Sequence, residues 1–119
     1  MGKTTEKSLL GEIYEMNGKT WNITTLVFTS RNLKPFSVPI KLIDRSYEPF
    51  EIKTMADYIH HHKRVEAADL GRPIILSETG VMMDGRHRLA KAILLGRKTI
   101  KAVQFEEDPE PDVVEEEEE

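Results

Sequence analysis

The sequence predicts one small α+β domain, and three observations predict it. Its 119 residues are enough for a single modest core. The apolar spacing changes period along the chain, extended over residues 21–29 and 36–43 and helical from Ile52. In the C-terminal half, two short apolar runs, an Asp-Gly turn, a helical stretch and a final apolar run follow one another closely. That is the order of a hairpin, a helix and a strand on one short mixed sheet with helices packed on it. The expected organisation is an N-terminal extension over residues 1–35 holding a short helix and a strand, a domain proper over 36–105, and a disordered acidic tail over 106–119.

Residues 1–8 are polar and predict a frayed start. Leu9, Leu10, Ile13 and Met16 are spaced for one helix face, which Gly11 and the Asn17-Gly18 turn signal keep short. Residues 21–29 are rich in threonine, isoleucine, valine and phenylalanine and predict a strand. Over residues 36–43, Pro39 removes a ladder donor, so this extended segment is expected at a sheet edge. Ile52, Met55, Ala56 and Ile59 then fall at i, i+3, i+4 and i+7. They predict an amphipathic helix to about Lys63, followed by a second helical patch over 65–70 that stops at Gly71. Residues 73–76 and 81–83 predict a hairpin, and residues 99–105 a last strand. Between them a helix runs from Asp84 with Leu89, Ala92 and Ile93 inward and Gly96 as its left-handed stop.

Composition removes several chemistries. There is no cysteine, so disulfides, thiolate metal sites and cysteine nucleophiles are excluded. No apolar run approaches the length of a bilayer span and the N-terminus lacks an apolar signal core, so no membrane partner and a cytoplasmic location are expected. The net charge of -4 hides a segregation of signs. Ten of the 21 acidic residues lie in residues 106–119, which hold no basic residue. The rest of the chain is therefore +6, with 11 acidic against 17 basic residues. A basic body suits a polyanion, and an acidic tail suits either competition for that surface or contact with a protein partner.

The residues that ask for a function are Asp84 to Arg88. Asp84 is suited to cap the helix start. Arg86, His87 and Arg88 then place cationic side chains at the positive end of the helix dipole, an arrangement that costs a few tenths to roughly 1 kcal/mol each. A bound anion reverses that sign. Gly85 would allow close approach, and free N–H groups with two arginines would make a phosphate site. His60, His61 and His62 are a weaker metal candidate, because three consecutive helical residues point in three directions and at most a pair could reach one ion. Interaction with a helix C-terminus suits them better, together with Lys63 and Arg64.

Val38-Pro39-Ile40, the helix from Met55, Pro73-Ile74-Ile75-Leu76, Asp84-Gly85-Arg86-His87-Arg88-Leu89-Ala90-Lys91-Ala92 and the strand from Ile100 to Phe105 resemble the ParB/sulfiredoxin superfamily. The similarity lies closest to its ParB-like nuclease domain, with its Asp-Gly-x-His-Arg turn. It covers about residues 36–105. The resemblance implies a ParB/sulfiredoxin-like fold and a nucleotide, ATP, ADP or CTP with Mg²⁺, whose phosphates rest on the turn and helix start. Arg86 stands where sulfiredoxins carry cysteine, so their reductase chemistry is excluded. Arg86 and His87 also replace residues of the partition proteins' turn, which argues against their triphosphate hydrolysis.

Asp84, His87 and Arg88 are the positions that carry over, to the Asp-Gly-His-His-Arg turn that the superfamily's free-serine kinases use with ADP. In this chain His87 and Asp84 are the catalytic candidates, Gly85, Arg86, His87 and Arg88 the phosphate ligands, and Asp84 a Mg²⁺ ligand. A nucleotide-binding domain, with phosphotransfer or nucleotide hydrolysis as its chemistry, is the leading expectation. A DNA-binding or nuclease accessory protein using the same phosphate site is the alternative. An inactive adaptor whose acidic tail engages a protein partner is the third.

Overall fold

A computed structural model describes residues 12–44 and 52–115. The expectations for residues 1–8, for Leu9 and Leu10 and for 116–119 fall outside them.

The fold is α+β and its central sheet is mixed. Strands β3 (Phe36–Pro39), β4 (Ile74–Leu76), β5 (Met82–Asp84) and β6 (Thr99–Gln104) lie in the order β3-β6-β4-β5. β3 runs antiparallel to β6, β6 parallel to β4, and β4 antiparallel to β5. β3 is an edge strand, as Pro39 requires. After it the chain turns through a 3₁₀ helix, Ile40–Leu42, instead of staying extended to residue 43.

The apolar run Ile74-Ile75-Leu76 is buried throughout because both faces of this sheet are covered. Ile74, Leu76, Met82, Ile100 and Ala102 face one cluster, shared with Leu89 and Ala92 of helix α3 (Arg86–Leu94). Ile75, Met83 and Val103 face a second, shared with Tyr14, Trp21, Leu26 and Phe105. Residues 12–33 thus contribute to the same domain core.

Two local expectations are corrected in that N-terminal stretch. Residues 13–16 are not helical but form strand β1 (Ile13–Met16), which pairs antiparallel with β2 (Lys19–Asn22). The Asn17-Gly18 signal makes the hairpin between them, and both residues have positive φ, 52° and 77°. The stretch from Trp21 is strand only to Asn22. Ile23–Ser30 is helix α1. Its β-branched residues favour a strand locally, but fully buried Leu26 anchors it on the second cluster, and packing decides.

The expected disorder of the tail is corrected over its described residues. Residues 106–115 fold back over β2, and Val113–Val114 form β7, its second antiparallel neighbour. Trp21 Nε1 donates to the Pro109 carbonyl at 2.8 Å, which satisfies a buried indole.

The helical patches before and after residue 64 are one helix, α2 (Met55–Ala67). Thr54 and Asp57 form a capping box at its start: Thr54 Oγ1 accepts from the Asp57 amide, and Asp57 Oδ2 accepts from the Thr54 amide. At the other end, Lys91 of α3 donates to the carbonyls of Glu66 and Ala68, both at 2.8 Å. A cation on orphan carbonyls satisfies them and suits the dipole, and here it locks α2 to α3. Among the described residues, no helix is long and apolar enough to cross a membrane.

Candidate functional site

The central turn is built by Gly85. Its φ of 117° lies in the left-handed region, and a Cβ there would sit 2.4 Å from Ile74 Cγ2. The glycine is needed so that the start of α3 can press onto β4, a reason distinct from the expected approach of a phosphate. Gly85, not Asp84, is the N-cap residue of α3. Asp84 ends β5, and its Oδ2 accepts from Arg88 Nη2 at 2.8 Å. The expected Asp84 cap is therefore replaced by an ion pair, and the first turn of α3 has neither a side-chain cap nor an acidic residue.

Above this turn opens a cleft of about 390 Å³. Arg86, His87 and Arg88 line it from α3. Arg64 and Arg72 line it from the end of α2 and the loop that follows, and Ile23 and Val27 from α1. The four arginines are not equivalent. Arg88 is committed inward, with Nη1 donating to the Pro73 carbonyl at 2.7 Å as well as to Asp84. Arg64 makes a two-pronged pair with Glu12. The Arg86 guanidinium lies 5.9 Å from the centre of the Tyr14 ring. The Arg72 guanidinium makes no side-chain hydrogen bond or ion pair among the described residues.

His87 reports the sign of this environment. Burial, followed by the positive charges of Arg64, His61 and Arg86, pulls its pKa from 6.5 down to about 4, against an upward pull from Glu12. Its imidazole is therefore neutral at pH 7. The rings of His61 and His87 stand 5.2 Å apart. His62 instead stacks on Tyr58 and lies 3.4 Å from Glu66, so the three histidines diverge. They also lie within α2 and not at its end, because the helix runs on to Ala67.

Carboxylates that could face a cation here are already engaged. Glu12 pairs with Arg64, Asp69 Oδ1 accepts from the Gly71 amide, and Asp84 gives Oδ2 to Arg88. Among the described residues, Asp84 Oδ1 and Asp69 Oδ2 are the oxygens that this pattern leaves over.

A second lobe of about 300 Å³ adjoins the first, and the two share Val27, Arg72, Asp84 and Arg88 in their walls. Leu33, Pro35, Ile75 and Val103 make it largely apolar.

The structure thus brings Asp84, Gly85, Arg86, His87 and Arg88 to one cleft. Sequence reasoning missed Arg64, Arg72, Ile23 and Val27. Arg64 and Arg72 carry no local motif, and Ile23 and Val27 lie in a segment read as an unremarkable strand. Comparison with protein-family models, with curated proteins and with solved structures gives no match for this chain.

Proposed function

We propose that this chain binds a nucleotide with its phosphates at the start of α3, as a domain of the ParB/sulfiredoxin type would. The observation that carries the reading is the convergence of Arg64, Arg72, Arg86 and His87 on a cleft whose floor is an uncapped helix N-terminus. Backbone N–H groups and the dipole favour an anion there, and the arginines add charge without a matching carboxylate in the first turn. Arg86 and Arg72 are the phosphate contacts in this reading. Arg88 instead shapes the turn through Asp84 and Pro73. The apolar second lobe supports a nucleotide over a bare phosphate, since it offers a surface for a base beside the charged lobe.

Mg²⁺ fits this donor set in one way only. With only the second oxygens of Asp84 and Asp69 to offer among the described residues, the protein would hold the ion mainly through the ligand's phosphates. His87 is neutral at pH 7 but a weak base, with its pKa at about 4. A bound anion that raises this value would let it accept a proton from an attacking hydroxyl or water, so phosphotransfer or hydrolysis is the reaction class.

The test is calorimetric titration with ATP, ADP and CTP, with and without Mg²⁺, beside a short DNA duplex at two salt concentrations. One nucleotide should bind, with affinity falling by roughly tenfold or more in Arg72→Ala and Arg86→Ala, the loss of a charge-assisted contact. Absence of binding at millimolar nucleotide overturns the reading. Duplex binding that weakens steeply with salt, in place of nucleotide binding, would overturn it in favour of a nucleic-acid role.

A further inference from the structure

We infer that the C-terminal arm is a strap that completes the cleft, with Asp112 fixing the start of α1 where Ile23 and Val27 form the wall. The inference rests on the proposed ligand site for its functional consequence and on the fold for its mechanics.

Helix α1 is poorly equipped to hold itself. Five of its eight residues are β-branched, its first turn has no acidic residue, and its N-cap Asn22 makes no side-chain cap bond. Asn22 Oδ1 is buried without a hydrogen-bond partner among the described residues. The missing cap comes from 90 residues away. Asp112 Oδ2 accepts from the Asn22 amide at 2.7 Å, and Oδ1 accepts from Thr25 Oγ1 at 3.1 Å. In a capping box the side chain at the third helical position binds the N-cap amide. Thr25 occupies that position in α1, and its hydroxyl delivers Asp112 to the amide instead. The carboxylate also sits at the positive end of the α1 dipole.

The strap itself is held at several points. The Asp112 amide donates to the Thr20 carbonyl at 2.8 Å, the Glu115 amide to Gly18 at 2.7 Å, and the Pro109 carbonyl takes the Trp21 indole. Val27 belongs to both lobes of the cleft, so a shift of α1 alters both at once. This gives the acidic arm the opposite role from a competitor for the basic surface: it builds the site and does not block it.

The experiment uses the full chain and compares wild type with Asp112→Ala and Thr25→Val. Amide exchange is measured over α1 and over the central strands, and titration uses inorganic pyrophosphate with Mg²⁺. Asp112→Ala should speed exchange in α1 by about tenfold while Ile75 and Val103 stay protected, and should weaken pyrophosphate binding roughly three- to tenfold. Thr25→Val should do the same to a smaller degree, and it decides the matter if Asp112→Ala does not fold. Unchanged exchange in α1 overturns the strap. Faster exchange with unchanged affinity overturns its link to the cleft. Should the wild type bind no pyrophosphate, the ligand site falls, and the strap is then upheld or overturned by exchange alone.

Discussion

Arg88 holds Asp84 from one helical turn away, with Nη2 2.8 Å from the carboxylate and Nη1 2.7 Å from the Pro73 carbonyl. The pair ties the end of β5, the start of α3 and the approach to β4 into one corner. Both side chains are mostly buried, at 13 % and 21 % exposure, so the interaction is little screened. Arg88→Ala leaves a carboxylate and a carbonyl without their donor in that corner. It should destabilise the protein by about 2–3 kcal/mol, and Arg88→Lys, which keeps the charge but not the fork, by about 1 kcal/mol. Urea unfolding measures both. An alanine variant as stable as wild type would show that the corner is held by packing alone.

Gly85→Ala tests the turn from the backbone side. The new Cβ meets Ile74 Cγ2 at 2.4 Å and Ile74 Cβ at 2.7 Å, in a backbone of positive φ. Ile74 is fully buried in the middle of the sheet and has nowhere to move. The combined clash and strain should cost at least about 3 kcal/mol. Thermal unfolding should show a large drop, and circular dichroism should show loss of α3 if the helix detaches.

The same turn shows how much the sequence discloses. The Asp-Gly step, the hairpin before it, Gly96 at φ 75° after it and the last strand are local signals, and each sits where its residues predict. Asp84 was legible as a residue of the turn but not as the partner of Arg88. An aspartate before a helix reads as a cap until the positive φ of Gly85 shifts the cap by one residue. α1 and the C-terminal arm were illegible for a common reason. Threonine and valine favour a strand locally, and proline with glutamate favours disorder. The bonds that override both preferences, Trp21 to Pro109 and Asn22 to Asp112, span 88 and 90 residues. No local window carries that information.

Lys91 ties together the two helices that flank the charged lobe. Its ammonium donates to the carbonyls of Glu66 and Ala68, at the C-terminal end of α2, from the last turn of α3. Lys91→Met keeps the apolar stem and removes both donors. It should cost about 1–2 kcal/mol and should fray α2 at its C-terminal end, next to Arg64 and Arg72. Amide exchange should therefore rise at Ala67 and Ala68 and remain unchanged at Thr54 to Asp57, where the capping box is intact. Uniform loss of protection along α2 would mean that Lys91 supports the whole helix and not its end.

His87 makes stability depend on pH in a defined direction. Its pKa is about 4 in the folded protein against 6.5 unfolded, so between these values the unfolded chain binds more protons. Stability from this residue is complete above pH 6.5 and is lost as pH falls toward 4. The loss should be on the order of 1–2 kcal/mol, discounted because the ring is partly in contact with solvent. His87→Gln cannot titrate, so its stability should fall less than that of wild type over the same interval. An anion at the start of α3 would offset the charges of Arg64 and Arg86 that hold the pKa down. Pyrophosphate should therefore raise the His87 pKa toward 6.5 and should bind more tightly as pH falls through that range. Proton NMR of the ring reads the pKa directly, in the free protein and with the anion added. A value near 6.5 in the free protein would mean that neither burial nor the neighbouring arginines govern this ring. A depressed value that the anion leaves in place would remove the site at the helix start.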